Sequence, residues 1–362
     1  MRFLALFFAL VSSAAAAPVQ EKFVNEVYDL QKISNHVYSF IAPQSDSGVV
    51  QGNCTFIIGE DSVLVFDTGQ FPSLAKRMVA DIQRITPKPV RFIVNSHWHF
   101  DHNWGNGVFR DAYPGVAIIS TEFTRELIAS EGPKVITKQP GVNSQQAADL
   151  RKLISDGKFP DGRPISDERK KSFKRSADTL EHINAEFPLI VNTAPNVTFN
   201  DELTLDLGKR EVQVLWLGRA NTAGDAVLWF PEEKLLLTGD TVVYPAPFAF
   251  GSYISEWPAT LQKMIDLQPA IIVPGHGPVM HDTAYLQTIA EILQQLSREV
   301  TAAVAQKLSF ADTQKRVSAA DFASRLPGGS AEKNPFFSTF LYGAVDRAYQ
   351  EATGKLKPEN ED

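Results

Sequence analysis

Along the middle of the chain, short apolar runs alternate with glycine- and proline-bearing turns, a pattern that predicts strands arriving in two groups. Val37–Ile41 and residues 55–58 and 62–66 are rich in β-branched and aromatic side chains, with Gly59-Glu60-Asp61 as a turn. Residues 71–85 change to a helical period, with Leu74, Met78, Val79 and Ile82 on one face and Pro87 as the stop. Strands are expected again at 90–94, 116–120, 203–205, 212–217, 226–230, 235–237 and 271–273. Helices are expected over 256–267 and 282–307, the second with Asp282 as its N-cap. Between the strand groups, residues 143–184 form a polar, charged, helix-favouring insertion that is either a lid over a cleft or a surface excursion. From residue 308 onward the chain is helical again. Phe337, Phe340, Leu341, Ala344, Val345 and Ala348 form a stripe that packs on the domain or on a second subunit, which leaves a homodimer open. Residues 358–362 are expected to be disordered.

The chemistry concentrates where the 90–94 strand ends. His97-Trp98-His99-Phe100-Asp101-His102 places four metal-capable side chains within six residues. A strand would send them to alternate faces, whereas a loop can converge His97 and His99 on one ion and Asp101 and His102 on another. Imidazole and carboxylate without thiolate suit zinc, iron or manganese. Later apolar runs end in the same manner: 235–237 leads to Gly239-Asp240, 271–273 to Gly275-His276, and 62–66 to Asp67-Thr68-Gly69. His36, His182 and His281 lack ligand spacing.

In the order and spacing of these motifs, residues 35–280 resemble the metallo-β-lactamase superfamily of hydrolases. The resemblance implies an α+β fold, an αββα sandwich with a metal site at one edge of its two sheets. Together with the residue patterns at the two ends, this divides the chain into a signal peptide (1–17), the sandwich domain (22–307) with its helical insertion, and a helical C-terminal extension (308–362). One position departs from the family pattern. Gly218-Arg219-Ala220-Asn221-Thr222-Ala223-Gly224-Asp225 stands where the family carries Gly-x-x-His-Thr-x-Gly-Asp, so Asn221 replaces the histidine that would join His97 and His99. An amide oxygen is a weak ligand beside imidazoles. The other set, Asp101, His102, His276 and Asp240, should therefore fill first, with one tightly bound zinc and at most a weaker second ion.

The expected reaction is attack of metal-bound hydroxide on the carbonyl of a cyclic amide, ester or thioester, with β-lactams and lactones as leading substrates. Asp101 would orient the nucleophile or hold a proton. Asn221, if not a ligand, would donate to the oxyanion, and Tyr244 could do the same. Asp67 would sit behind the ligands and fix a histidine tautomer. Two further readings remain: a mononuclear iron sulfur dioxygenase and a non-catalytic metal-binding protein. The aromatic, proline-rich segment 242–251 should wall the cleft.

Composition narrows the setting. Met1-Arg2, an apolar run and four alanines read as a secretory signal, so a periplasmic or secreted protein free of the membrane after cleavage is expected. Cys54 is alone and should be a small core residue. Asn53 and Asn196 begin Asn-x-Ser/Thr sequences that a eukaryotic host could glycosylate. A formal net charge of −7, with the one basic cluster at 169–175 set among acids, excludes nucleic acid as the main partner and leaves a small-molecule substrate.

Overall fold

The computed structural model describes residues 28–43 and 51–361, so the expected signal peptide lies outside the described residues. The first sheet begins with β1 (Asp29–Ser34), β2 (Val37–Ile41), β3 (Cys54–Ile58) and β4 (Val63–Phe66). Helix α1 (Pro72–Ile85), β5 (Val90–Val94), the short helices α2 (Phe100–Asn103) and α3 (Asn106–Ala112), and β6 (Ala117–Thr121) follow. A hairpin of α4 (Glu122–Asp156) and α5 (Asp167–Ile183) leads to β7 (Val197–Phe199), which closes this sheet in the order β1 to β7. The second sheet, in the order β12-β11-β10-β9-β8, comprises β8 (Glu202–Asp206), β9 (Glu211–Trp216), β10 (Ala226–Phe230), β11 (Leu235–Leu237) and β12 (Ile271–Val273). Helix α6 (Trp257–Asp266) precedes β12, and α7 (Ala284–Ala305), α8 (Phe310–Arg316), α9 (Ala319–Arg325) and α10 (Phe337–Thr353) follow it.

Period-two alternation explains why two sheets become four layers. Leu64 and Phe66 on β4, and Ala226, Leu228 and Phe230 on β10, meet in the core between the sheets. Their neighbours Val63 and Val65 face the opposite way, onto Leu74, Met78 and Ile82 of α1. Val227, Trp229 and Leu236 likewise face outward onto Leu261 and Leu293 of α6 and α7. The result is the expected αββα sandwich.

Three expectations, on the insertion, the tail and the α7 cap, need correction, and one open alternative, on the α10 stripe, is decided. The helical insertion begins at Glu122, not 143, because α4 runs through Pro133 and Pro140. Proline removes a backbone donor, yet packing against α5 outweighs that loss, with Asn143 donating to Asn184 and Asn184 to the carbonyl of Pro140. The α10 stripe is spent inside the chain, where Phe337, Phe340, Ala344 and Val345 join the core under α7. The tail expected to be disordered carries a short turn at Glu359–Glu361, and Glu359 is 6% exposed. For α7 the N-cap is Thr283, although Asp282 accepts the N–H of Ala284.

Asn53 ties the two sheets together beside the metal-capable residues. Its amide donates to the carbonyls of Pro274 and Gly277, each at 2.9 Å, and its oxygen accepts from Ala42. Buried in this way, Asn53 is not an accessible glycosylation acceptor. Asn53→Ala strands two carbonyls and one N–H, so it is expected to destabilise the fold by about 2–4 kcal/mol, read from urea unfolding. A loss below about 0.5 kcal/mol would show that the bridge is redundant.

Candidate metal centre

The site forms where parallel strands end together. β4 and β5 run parallel, as do β11 and β12, so each pair delivers the residues after its strands to one rim of the sandwich. Asp67 follows β4 directly, in a left-handed conformation. His97 follows β5, Asp240 sits in a short turn after β11, and His276 follows β12. The six-residue motif is not loop throughout, because the chain turns helical at Phe100. Asp101 and His102 therefore share the single turn of α2, with His99 at its N-cap.

Four side-chain atoms converge there. His102 Nε2 lies 3.3 Å from His276 Nε2, 3.2 Å from Asp240 Oδ1 and 3.4 Å from Asp101 Oδ2. His276 Nε2 lies 3.1 Å from Asp101 Oδ2 and 3.3 Å from Asp240 Oδ1. Ligands bound about 2.0–2.1 Å from a small divalent ion stand roughly 3.3–3.4 Å apart, so Asp101, His102 and His276 are spaced to hold one such cation, with Asp240 beside the two histidines. The other oxygen of Asp240 turns toward His97 Nε2 at 3.7 Å, and His97, His102 and Asp240 form a second ligand-capable group.

This grouping redraws the expected partition. His102, not His99, joins His97. One imidazole lone pair cannot serve two ions, so the groups compete for His102. The His99 ring meets His97 edge-to-face with centroids 4.6 Å apart, and faces the Phe248 ring at 5.5 Å. Asn221 is fully buried, and its amide N–H donates to the Phe248 carbonyl at 2.6 Å. Its unpartnered atom is the oxygen, an acceptor, so the expected oxyanion donor instead presents a ligand-type atom. Tyr244 stands beside His276, donating its backbone N–H to the His276 carbonyl, and lines the cleft. His36 in the β1–β2 turn, His182 on α5 and the exposed His281 stay outside the centre.

Electrostatics favours a cation. Burial alone would lower His276, yet the carboxylates of Asp240 and Asp101 hold it up at about 10. His102 is likewise raised, against the burial penalty, by Asp101, Asp240 and Asp67. Protons on these imidazoles balance buried carboxylates, a task an ion can take over. His97 is held well below its usual value, and His99 at about 4, chiefly by burial. Both imidazoles are therefore neutral, and His97 Nε2, Asp240 Oδ1 and Asn221 Oδ1 are buried without hydrogen-bond partners. Such orphaned atoms fit a bound metal.

A supporting layer sets the tautomers. Asp67 Oδ2 accepts the Nδ1–H of His102 at 2.8 Å, leaving Nε2 to face the cluster. Ser96 donates its backbone N–H and hydroxyl to Asp67, and its oxygen lies 2.9 Å from His97 Nδ1. Sequence reading anticipated Asp67 but missed Ser96, which carries no motif of its own. It also missed Gly52, where a Cβ would strike the His102 ring, and read Gly275 only as a turn, although a Cβ there would strike Asp240. Glu359 was missed too. It accepts from the Trp98 indole at 2.7 Å and from the Ala223 N–H at 2.8 Å, and burial pushes its carboxyl up to about 7 despite these donors.

The centre opens into a cleft of about 750 Å³. The expected wall is present, formed by Tyr244, Phe248 and Phe250, and faces Phe336 and Phe340 of the C-terminal extension. Val135, Gln139, Asn143 and Ile183 of the helical hairpin line another side, so the insertion flanks the cleft. Among the described residues lining it there is no lysine or arginine.

Comparison with known proteins agrees with this architecture. The family described as the metallo-beta-lactamase superfamily matches residues 47–276. A linear primary-alkylsulfatase of Pseudomonas sp. (strain ATCC 19151) is 24% identical over 231 residues, covering 60% of this chain and 40% of that protein. A metallo-beta-lactamase type 2 of Elizabethkingia meningoseptica is 28% identical over 98 residues, covering 25% of this chain and 39% of that protein. The chain thus spans about two fifths of the length of these curated relatives. Among solved structures, a metallo-beta-lactamase from Pontibacter korlensis superposes with a TM-score of 0.53 at 19% identity, covering 74% of this chain and 99% of the other. With the family matched over more than half its length and the sandwich carrying the ligand-capable rim, this chain belongs to the metallo-β-lactamase superfamily.

Proposed function

We propose that this chain is a metal-dependent hydrolase of uncharged cyclic esters, with one tightly held divalent ion, zinc by preference. The observation behind this reading is the convergence of Asp101, His102 and His276, with Asp240 beside the two histidines, at the mouth of an apolar cleft, a set that leaves a position open on a bound ion. A divalent ion held there would lower the pKa of a water and polarise a carbonyl. Asp101 is the carboxylate that reaches the cleft, with 17% of its side chain exposed against 5% for Asp240. Its Oδ2 faces the histidines, and its second oxygen would accept a proton from the attacking water and return it to the leaving group. Asp67 and Ser96 hold His102 and His97 in the required tautomers, and Tyr244 and Phe248 exclude water from the reacting face.

The cleft's charge selects among substrates. Penicillins and cephalosporins carry a carboxylate and alkyl sulfates a sulfate, groups that a protein ordinarily meets with lysine or arginine. A wall of aromatic rings and amides, with carboxyl groups and no lysine or arginine among its described residues, suits a lactone or ester with an apolar arm. The alkylsulfatase likeness supports a sulfate ester as a second reading, since an alkyl chain fits the same wall.

The purified protein is expected to retain close to one divalent ion per chain after dialysis, by elemental analysis. His276→Ala should empty the site, whereas His97→Ala should cost less metal. Two ions that both resist dialysis would contradict the competition for His102.

Chelator-sensitive hydrolysis is expected with a lactone, ahead of a decyl sulfate and a chromogenic cephalosporin. Asp101→Asn should lower kcat on the order of 10²–10⁴-fold, the range of general acid–base effects. Activity within about threefold of wild type would remove Asp101 from the proton transfer.

Asn221→His should add an imidazole and raise the affinity for a second zinc, followed by calorimetric titration. If no additional ion binds, residue 221 does not face the centre.

A further inference from the structure

We propose that Glu359, in the tail of the C-terminal extension, is a positioning residue that ties together the two loops bearing His97, His99 and Asn221. One carboxylate makes both contacts. Glu359 Oε2 accepts from the indole of Trp98, which lies between His97 and His99 in the chain, and Oε1 accepts from the backbone of Ala223, two residues after Asn221. These loops leave β5 of the first sheet and β9 of the second, so the tie crosses the mouth of the sandwich. Trp98 is itself 8% exposed, and its ring packs on His99 with centroids 4.7 Å apart. Displacing the indole therefore displaces the imidazole.

The tail is built to arrive there. Helix α10 stops at Gly354 in the left-handed conformation, which turns the chain back toward the cleft. Arg347, fully buried on α10, donates to the carbonyls of Lys357, Ser252 and Gly251, which fixes the returning segment against the loop under the site. Gln350 accepts the N–H of Lys357. A Cβ at Gly251 would lie 2.9 Å from that of Glu359, so the loop passes as close as its backbone allows. Glu359 lies beyond residues 47–276, the part of the chain that the family match covers, so the tie comes from this chain's own extension.

The test compares Glu359→Ala, Glu359→Gln and Trp98→Phe in the full chain. In the metal-free protein, Glu359→Ala should red-shift tryptophan emission as the indole loses its partner. Its zinc affinity should fall severalfold, with the melting temperature lowered by only a few degrees. On a lactone, kcat should fall on the order of tenfold to a hundredfold with KM little changed, the signature of misplaced groups. Glu359→Gln, which keeps one acceptor oxygen, should recover part of this loss. Trp98→Phe keeps a ring but removes the donor, and combined with Glu359→Ala it should lose little more than the worse single variant. Full additivity of the two losses would overturn the tie, as would unchanged zinc affinity and kcat in Glu359→Ala. So would a loss of activity that only tracks the unfolded fraction. The kinetic arm rests on the hydrolase reading. A chain that hydrolyses nothing but shows the emission change and weakened zinc binding retains the tie and sinks that reading.

Discussion

Buried negative charge at the rim of the sandwich is the constraint on which the rest of this structure depends. Asp67, Asp101 and Asp240 meet His102 and His276 where little water can reach, and an uncompensated carboxylate there would be costly. In the metal-free chain, protons raised onto the two imidazoles supply the balance, held there by the carboxylates against burial. A divalent ion would supply it more compactly, since the His and Asp groups there are spaced to hold one. The close approach of Gly52 to His102 and of Gly275 to Asp240 follows from the same need, since any side chain there would push the charges apart.

Around that centre the fold separates rigidity from selectivity. The ligand-capable residues sit directly beyond strands buried on both faces, where register and packing leave little freedom. The cleft is made instead by later or inserted pieces: the α4–α5 hairpin, the loop through Phe248 and Phe250, and the C-terminal helices. Such an arrangement lets the wall be largely aromatic without altering the centre. Asn221 belongs to the boundary between the two. Its N–H braces the Phe248 loop while its oxygen is left unpartnered, so one side chain joins the wall to the centre.

Much of this was legible in the chain itself. Strand-glycine-polar endings announce Asp67, Asp240 and His276 as candidates, and the order and spacing of these motifs imply the four-layer fold through their resemblance to the superfamily. Other features depend on contacts between residues far apart in sequence. The helix runs through Pro133 and Pro140 against local preference, with α5 packed along it. The choice of His102 over His99 as the partner of His97 turns on the helical turn of α2, which swings one ring inward and leaves the other at the cleft wall. Asn53 reads as a glycosylation match until its amide is seen spanning the loop after β12. Glu359 reads as a disordered charge until Arg347 brings the tail back to Trp98, 261 residues away. Sequence periodicity reports which face of an element must be buried, whereas the pairing of particular polar atoms is decided only when those faces close on one another.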